Sequence, residues 1–153
     1  MKLAWAYNPF DDDRRLERRA VDLLRRLRRA REPLELLYVA SPGEPSLAVA
    51  FDVPIAERYG RHPQQLIERA ARRLGIRGAR VTVLPQRRPS LSAAVRALAT
   101  HLHQRRIALT LIASHARRGV SRLVLGSFAE SLVHVARTDL LVFNAASRVR
   151  RAA

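Results

Sequence analysis

The feature that most constrains this chain is a regular alternation of short apolar stretches with amphipathic helical patterns. The apolar stretches have the length of strands, and several are apolar on both faces, as buried parallel strands are. They predict strands over 2–7, 34–40, 81–84, 107–113 and 140–143. Strands that alternate with helices predict an α/β fold, in which right-handed crossovers place helices on both faces of a parallel sheet.

The helices are predicted from their apolar spacing and their terminal residues. The Asp11 to Asp13 run marks the start of the first helix, because carboxylates are favoured at helix N-termini. Further helices are predicted over 66–74, after Ser90, and over 127–136. The segment 41–63 holds prolines and glycines throughout and is predicted to be an irregular insertion.

Length and composition limit the classes of protein that fit. With 153 residues, 48% of them hydrophobic, the chain suits one domain, which we predict over 1–146 with a basic tail over 147–153. No apolar stretch approaches the ~20 residues of a membrane-spanning helix, so we expect a soluble, cytoplasmic protein with no membrane partner. The chain has no cysteine, which excludes disulfides, thiolate metal sites and cysteine nucleophiles.

The net charge of +16 comes almost entirely from arginine, since Lys2 is the only lysine. Such a charge often indicates a nucleic-acid partner. Here, however, the arginines lie in pairs along the whole chain rather than in one segment. This distribution favours solvated faces over a specific nucleic-acid interface, and it leaves nonspecific polyanion binding as an alternative function.

The predicted fold places a ligand site beyond the C-terminal ends of the strands. The ends of strands one, two and four are Asn8, Val39 to Ala40, and Ala113 to Arg118. Gly126-Ser127 then opens a helix, where free backbone N–H groups attract anions. The alternative is that Ser127 only caps this helix and that the nearby arginines are solvated.

Other candidate chemistry has less support in the sequence. His101 and His103 are two apart on a predicted helix and face different directions, so we interpret them as solvated residues and predict no metal site. The aspartates at 11–13 could hold a cation, but a helix N-terminus explains them better. Neither Ser114 nor Ser127 lies in a G-x-S-x-G turn, so no catalytic residue is predicted.

The stretch ASHARRGVSRLVLGS, residues 113–127, resembles the nucleotide-binding loop of the universal stress protein family. That family carries Gly, two residues, Gly, nine residues and then Gly-Ser or Gly-Thr, and the spacing here is the same. KLAWAYN, LLYVA and TDLLVFN resemble its first, second and last strands. The resemblance implies a three-layer α/β/α sandwich of the Rossmann-like, adenine-nucleotide alpha-hydrolase-like kind, with a five-stranded parallel sheet in the order 3-2-1-4-5.

The resemblance also implies the ligand and its site. The ligand would be ATP or AMP, with Mg²⁺ accompanying ATP only. Backbone N–H groups at 116, 127 and 128 and the Ser127 hydroxyl would hold phosphate, and His115 would orient the loop. The implied binding residues are Ala6, Asn8, Val39, Ile112, Ala113, Ser114, His115, Ala116, Arg117, Gly126, Ser127 and Phe128.

Three departures from the family pattern fall at this site. Ala113 and Ala116 replace the two glycines, and Asn8 replaces an aspartate at the end of the first strand. An added methyl group costs about 1 kcal/mol where the backbone needs a positive φ. We therefore predict a nonenzymatic stress-response protein with a degenerate nucleotide site that accepts phosphate or sulfate at Ser127. An ATP- or AMP-binding switch is the alternative.

The last strand predicts an assembly. In the resembled family this strand pairs with its counterpart in a second subunit. Here it is short and apolar, and an exposed apolar edge invites association. We predict a homodimer through Leu140, Leu141, Val142 and Phe143.

Overall fold

A computed structural model describes residues 1–11, 13–29, 32–40, 55–86, 90–113 and 127–144, and over 55–61 it describes the backbone alone. The described residues form five strands and four helices that alternate along the chain. Their bounds are β1 Leu3–Ala6, α1 Arg14–Leu27, β2 Leu34–Ala40, α2 Ile55–Arg73, β3 Ala79–Pro85, α3 Leu91–Gln104, β4 Leu109–Ala113, α4 Ser127–Val135 and β5 Asp139–Phe143.

The five strands form one parallel sheet in the order β3-β2-β1-β4-β5. Strand β1 lies at the centre, where Leu3 pairs with Leu34 of β2 on one side and with Leu109 of β4 on the other. The predicted α/β class, the parallel sheet and the strand order are confirmed. The order reverses between β1 and β4, which is where parallel sheets of this kind leave a crevice for ligands.

Alternate residues of each strand divide the core between the two faces of the sheet. Trp5 and Leu36 belong to a cluster with buried residues of α1 and α2, whereas Ala4 and Leu37 belong to a cluster with α3 and α4. Because successive strand side chains point to opposite faces, the two clusters are the two interfaces of a three-layer sandwich.

Helix α1 begins where its carboxylates predict. The side chain of Asp13 accepts hydrogen bonds from the backbone N–H groups of Arg15 at 2.9 Å and Leu16 at 3.3 Å, so it is the N-cap. Such a cap contributes about 1 kcal/mol to helix stability. Leu16, Ala20 and Leu24 recur at helical spacing and are buried against the sheet.

Helix α2 begins earlier than predicted. The prediction of an irregular segment over 41–63 is wrong for its last part, because the helix starts at Ile55 and contains Pro63. Residues 41–54 lie outside the described residues. A proline inside a helix removes one backbone hydrogen bond. Here Pro63 is fully buried, so its ring contributes apolar burial that offsets the lost bond. Gly75, with φ +68°, follows the helix end as predicted.

The edge strand β3 is longer than the predicted 81–84. It runs from Ala79 to Pro85 and pairs residue by residue with the whole of β2. Arg80 is exposed and interrupts the apolar pattern, which is why the sequence indicates a later start. The predicted tail over 147–153 lies outside the described residues. Within the described part of the chain, no helix combines the length and the apolarity needed to cross a membrane.

Candidate functional site

A cavity of about 360 Å³ lies at the C-terminal ends of β1, β2 and β4. Its position is the reversal of strand order, and its volume falls within the roughly 300–1,000 Å³ of small-molecule sites. The end of β1, the start of α1, the end of β2, the end of β4 and the start of α4 all contribute walls. Its lining residues are Trp5, Ala6, Tyr7, Asn8, Asp11, Asp13, Leu16, Glu17, Leu37, Tyr38, Val39, Leu98, Ile112, Ala113, Ser127, Phe128 and Ala129.

The structure brings together every predicted site residue that it describes. These residues all line the cavity: Ala6, Asn8, Val39, Ile112, Ala113, Ser127 and Phe128. The other five predicted residues, Ser114, His115, Ala116, Arg117 and Gly126, lie outside the described residues. The cavity therefore combines apolar walls from the strand ends with polar groups from Asn8 and from the start of α4.

Helix α4 starts at Ser127, as the sequence predicts. Ser127 is exposed and lines the cavity together with Phe128, which is half-buried. The first N–H groups of a helix have no acceptor within the helix and carry its partial positive charge. The backbone of Ser127 and Phe128 thus presents anion-attracting donors at the cavity wall.

The opposite wall carries a buried carboxylate that the sequence analysis missed. Glu17 of α1 is 5% exposed, and its oxygens accept hydrogen bonds from the Tyr7 hydroxyl at 2.7 Å and from both Arg73 Nη atoms at 2.8 and 2.6 Å. Arg14 lies at 3.6 Å from the same carboxylate. We call Tyr7, Glu17 and Arg73 the Glu17 cluster; it joins the end of β1 to α1 and to the end of α2.

The pKa values of Glu17 and Tyr7 are shifted in opposite directions. Burial acts to raise the pKa of Glu17, but hydrogen bonds from Arg73 and Tyr7 outweigh it, so this pKa lies below its ordinary value. Burial and the bond to the Glu17 carboxylate raise the pKa of Tyr7. At neutral pH the cluster therefore holds an ionised carboxylate and a neutral phenol, joined by the hydrogen bond from the Tyr7 hydroxyl to Glu17.

One signal in the sequence could have revealed Glu17. It precedes Ala20, Val21 and Leu24 by three, four and seven residues, so it continues the buried stripe of α1. A charged residue within an apolar stripe indicates a buried, paired group. The partner Arg73 could not be inferred, since 56 residues separate the two along the chain.

A second buried carboxylate corrects the interpretation of His101 as a solvated residue. Glu35 of β2 is 5% exposed and contacts Thr82 Oγ1 at 2.6 Å, His101 Nε2 at 2.9 Å and Arg105 Nε at 3.8 Å. His103, by contrast, is exposed. Burial acts to raise the pKa of Glu35, but bonds from Thr82 and His101 outweigh it and lower this pKa. Glu35 does not line the cavity; it joins α3 to the sheet.

Comparison with known proteins agrees with the family resemblance of the sequence and with the observed fold. A sequence profile described as the Universal stress protein family matches residues 2–144. The chain belongs to the universal stress protein family. No curated protein matches the chain in sequence.

Solved universal stress proteins share its fold at low sequence identity. UspA from Lactobacillus plantarum is 14% identical with a TM-score of 0.59, covering 93% of this chain and 96% of its own. A family protein from Arabidopsis thaliana with AMP bound is 14% identical with a TM-score of 0.57, over 94% and 91%. A universal stress protein in complex with cAMP is 15% identical with a TM-score of 0.54, over 95% and 97%.

Two departures of this universal stress protein from the family pattern lie in the described cavity. Ala113 ends β4, and Arg106 is the only described residue other than glycine with a positive φ, so Ala113 bears no left-handed strain. The effect of its methyl group is then steric alone, and the cavity remains open beside it. Ala116 lies outside the described residues.

The second departure, Asn8, changes the polar group at the end of β1. Its Oδ1 accepts a hydrogen bond from the backbone N–H of Phe10 at 3.0 Å. The amide NH₂ can only donate, and the uncharged Oδ1 keeps one lone pair, so Asn8 offers a ligand hydroxyl no charged acceptor. An aspartate in the same turn would keep one oxygen on Phe10 and offer a second oxygen to a ligand hydroxyl.

Proposed function

We propose that this chain is a cytoplasmic, nonenzymatic, homodimeric stress-response protein that retains a weakened site for an adenine nucleotide. The observation that carries the proposal is the cavity of about 360 Å³ at the reversal of strand order. The family resemblance assigns certain positions to nucleotide binding, and those that the structure describes line this cavity. The cavity is open although residue 113 is an alanine. The relatives solved with AMP and with cAMP are consistent with this ligand class.

The walls of the cavity suit the parts of AMP separately. Val39, Ile112 and Phe128 offer apolar surface for the base. The first amides of α4 and the Ser127 hydroxyl suit the phosphate, as they would suit a free phosphate or sulfate. Asn8 also lines the cavity and would meet the ribose with a neutral amide where the family has a carboxylate. A ribose hydroxyl therefore loses one charged acceptor, which is the physical basis of the weakened site.

The proposal of no catalysis rests on how the carboxylates of the wall are used. Glu17 is bound by Arg73 and Tyr7, and Asp13 caps α1. Asp11 accepts a hydrogen bond through its Oδ1 from the backbone N–H of Asp13 at 3.0 Å. A general base needs a lone pair within reach of a substrate proton and a pKa near the working pH. The depressed pKa of Glu17 and its engaged oxygens make it a poor base.

Calorimetric titration with AMP tests the nucleotide site. We expect a Kd between about 0.1 and 1 mM for the natural chain, which corresponds to roughly 4–5.5 kcal/mol of binding free energy. Asn8→Asp should strengthen binding about fivefold, because it returns an acceptor worth roughly 1 kcal/mol at this exposed position. The added negative charge opposes phosphate, so a gain cannot come from net charge.

Phe128→Ala is the matched loss variant, since it removes an apolar wall of the cavity without changing charge. It should weaken AMP binding at least about fivefold. If neither the natural chain nor Asn8→Asp gives saturable heat at 5 mM AMP, the nucleotide site is contradicted. The remaining hypothesis is then a protein that acts only through interaction with partners. With ATP, titration with and without Mg²⁺ tests the alternative of an ATP-binding switch, for which binding must be tighter than about 100 μM.

The proposed dimer rests on the edge strand β5. Within the described residues this strand pairs with β4 alone, and Leu140, Leu141 and Val142 are only partly buried, whereas Phe143 is buried. An apolar strand with one free edge can add a second copy of itself across a two-fold axis.

Light scattering of a charged variant tests this interface. Val142→Glu should convert the dimer to monomer, because pairing would bring two carboxylates into an apolar edge. Leu91→Glu is the control, since Leu91 is 45% exposed and lies on α3, which is not part of the proposed interface. A monomeric natural chain, or an unchanged dimer mass for Val142→Glu, would exclude β5 as the interface.

A further inference from the structure

A second concave surface lies at the other end of the sheet. This cleft, of about 390 Å³, is formed by the end of α1, the start of β2 and the turn that joins α2 to β3. It shares no lining residue with the cavity at the carboxyl ends. Four of its lining residues are arginines, Arg25, Arg28, Arg29 and Arg77, and we call it the arginine cleft.

The floor of the arginine cleft is apolar. It consists of Val21, Leu24, Leu34, Leu74 and Ile76. Gly75 adds backbone without a side chain, and a Cβ built there meets nothing within 4 Å. The cleft is therefore open above its floor, and a ligand of a few heavy atoms can reach both the apolar surface and the arginines.

One arginine is fixed across the cleft. Arg28 donates from Nε to the carbonyl of Glu32 at 2.8 Å and from Nη1 to the carbonyl of Arg77 at 3.2 Å. These two bonds hold the guanidinium between the two sequence segments that form the walls. Among the described residues its Nη2 atom has no hydrogen-bond partner, so this part of the guanidinium keeps its donors for a ligand of the cleft that Arg28 lines.

The carboxylates near the cleft do not neutralise it. Within the described residues no Asp or Glu lines it. Glu32 accepts from the N-terminal amino group at 2.9 Å and from the backbone N–H of Arg29 at 3.0 Å. Asp22 lies 3.9 Å from Arg25, but both side chains are largely exposed, so solvent screens this pair.

The helix ends at this cleft oppose an anion only weakly. Both α1 and α2 end here, and a helix C-terminus carries about half a negative charge. Arg28 N–H caps the carbonyl of Leu24, and Ile76 N–H caps the carbonyl of Ala71. Four formal positive charges exceed the roughly one negative charge of the two helix ends, so the cleft keeps a positive potential.

We propose that the arginine cleft binds a small molecule carrying two or more adjacent phosphate groups. Guanidinium groups bind phosphate oxygens in pairs of parallel hydrogen bonds, and four arginines that line one cleft suit several phosphates. The apolar floor accommodates an organic part of the ligand next to them. This site is independent of the nucleotide cavity, because it lies at the amino ends of the strands and on other residues.

The test is an NMR titration of the ¹⁵N-labelled full chain with inorganic tripolyphosphate at about 0.15 M salt, where long-range attraction is screened. The amide of Gly75, one of six glycines in the chain, is the reporter inside the cleft. We expect a saturable shift of Gly75, with smaller or no shift of the Ser127 amide at the same ligand concentration.

Variants separate a built site from the overall charge. Arg25→Gln with Arg29→Gln should weaken binding at least about tenfold, and these side chains are exposed enough to leave the fold unchanged. Arg26→Gln with Arg96→Gln removes the same charge from exposed positions outside the cleft and should weaken it less than about threefold. Equal weakening in both double variants, or saturation at Ser127 without Gly75, would overturn the proposal.

Discussion

Replacing Arg73 by glutamine should destabilise the fold far more than any ordinary loss of a surface arginine. Arg73 is 43% exposed by its side chain, yet its two Nη atoms bind a carboxylate of which only 6% is exposed. Arg73→Gln leaves that carboxylate with the Tyr7 hydroxyl and with Arg14, which is 3.6 Å away and 61% exposed. The cost comes from a buried charge that has lost its counterion.

The magnitude follows from the geometry. Breaking a fully buried ion pair costs roughly 3–5 kcal/mol, and an exposed pair contributes about 0–1 kcal/mol. With one partner buried and the other partly solvated, we expect a loss of about 2–3 kcal/mol in the free energy of unfolding. For a chain of this length that corresponds to a fall of roughly 4–12 °C in Tm.

The loss should depend on pH in a defined direction. The pKa of Glu17 is lowered in the folded state, so its contribution to stability is present above the unfolded value of about 4.3 and is lost as pH falls through the folded value. Arg73→Gln removes much of this contribution. The difference between the natural chain and the variant should be full at pH 7 and should shrink below about pH 4.

Urea unfolding followed by circular dichroism measures both effects, with Arg72→Gln as the matched control. Arg72 is the preceding residue on α2, is exposed, and carries the same charge. We expect Arg72→Gln to change the free energy of unfolding by less than about 0.5 kcal/mol. Equal losses for the two variants at pH 7, or a difference for Arg73→Gln that persists unchanged at pH 3, would refute the reasoning.

Three further substitutions test other parts of the structure by urea unfolding. Asp13→Ala removes the N-cap of α1 and should cost about 1 kcal/mol, whereas the exposed Asp22→Ala should cost almost nothing. Glu35→Gln should lower the free energy of unfolding by about 1–2 kcal/mol at pH 7 and by little below about pH 4. The pKa of Glu35 is lowered in the folded state, so its contribution to stability is lost as the carboxylate is protonated in acid. Thr110→Val should stabilise the chain by about 1 kcal/mol, since the Thr110 hydroxyl is fully buried and, among the described residues, has no hydrogen-bond partner. A destabilised Thr110→Val would show that this hydroxyl does have a partner.

The fold could be predicted because its signals are local. Each buried strand is a short apolar run, and the Asp13 cap marks the start of α1 within one residue. The start of α2 could not be predicted, because Pro63 normally ends a helix and is tolerated here only through its burial in the tertiary structure. The family resemblance supplied the strand order, which periodicity alone does not determine.

The part of the site that is built from strand ends was predictable, because parallel neighbouring strands end at the same edge of the sheet. Asn8, Val39 and Ala113 lie at the carboxyl ends of three neighbouring strands, so a parallel topology brings them together. The Glu17 cluster was missed because it needs the end of α2 to meet the start of α1, a contact between residues 56 apart. The strain that a positive φ would cause at position 113 is absent because Ala113 ends a regular strand, which the residue type alone does not show.

Among the described residues two carboxylates are buried, and their placement favours one packing of this arginine-rich chain. The chain has 29 basic residues and 13 acidic ones, so most arginines could exchange partners on the surface with little change in energy. Glu17 and Glu35 cannot exchange partners in this way, since each is buried and each binds groups from other elements. Glu17 binds Arg73 at the end of α2, and Glu35 binds His101 of α3 and Thr82 of β3. Because a misplaced helix would leave one of these carboxylates buried without its cation, we infer that the two acids specify which helix covers which face, more than they add to the total stability.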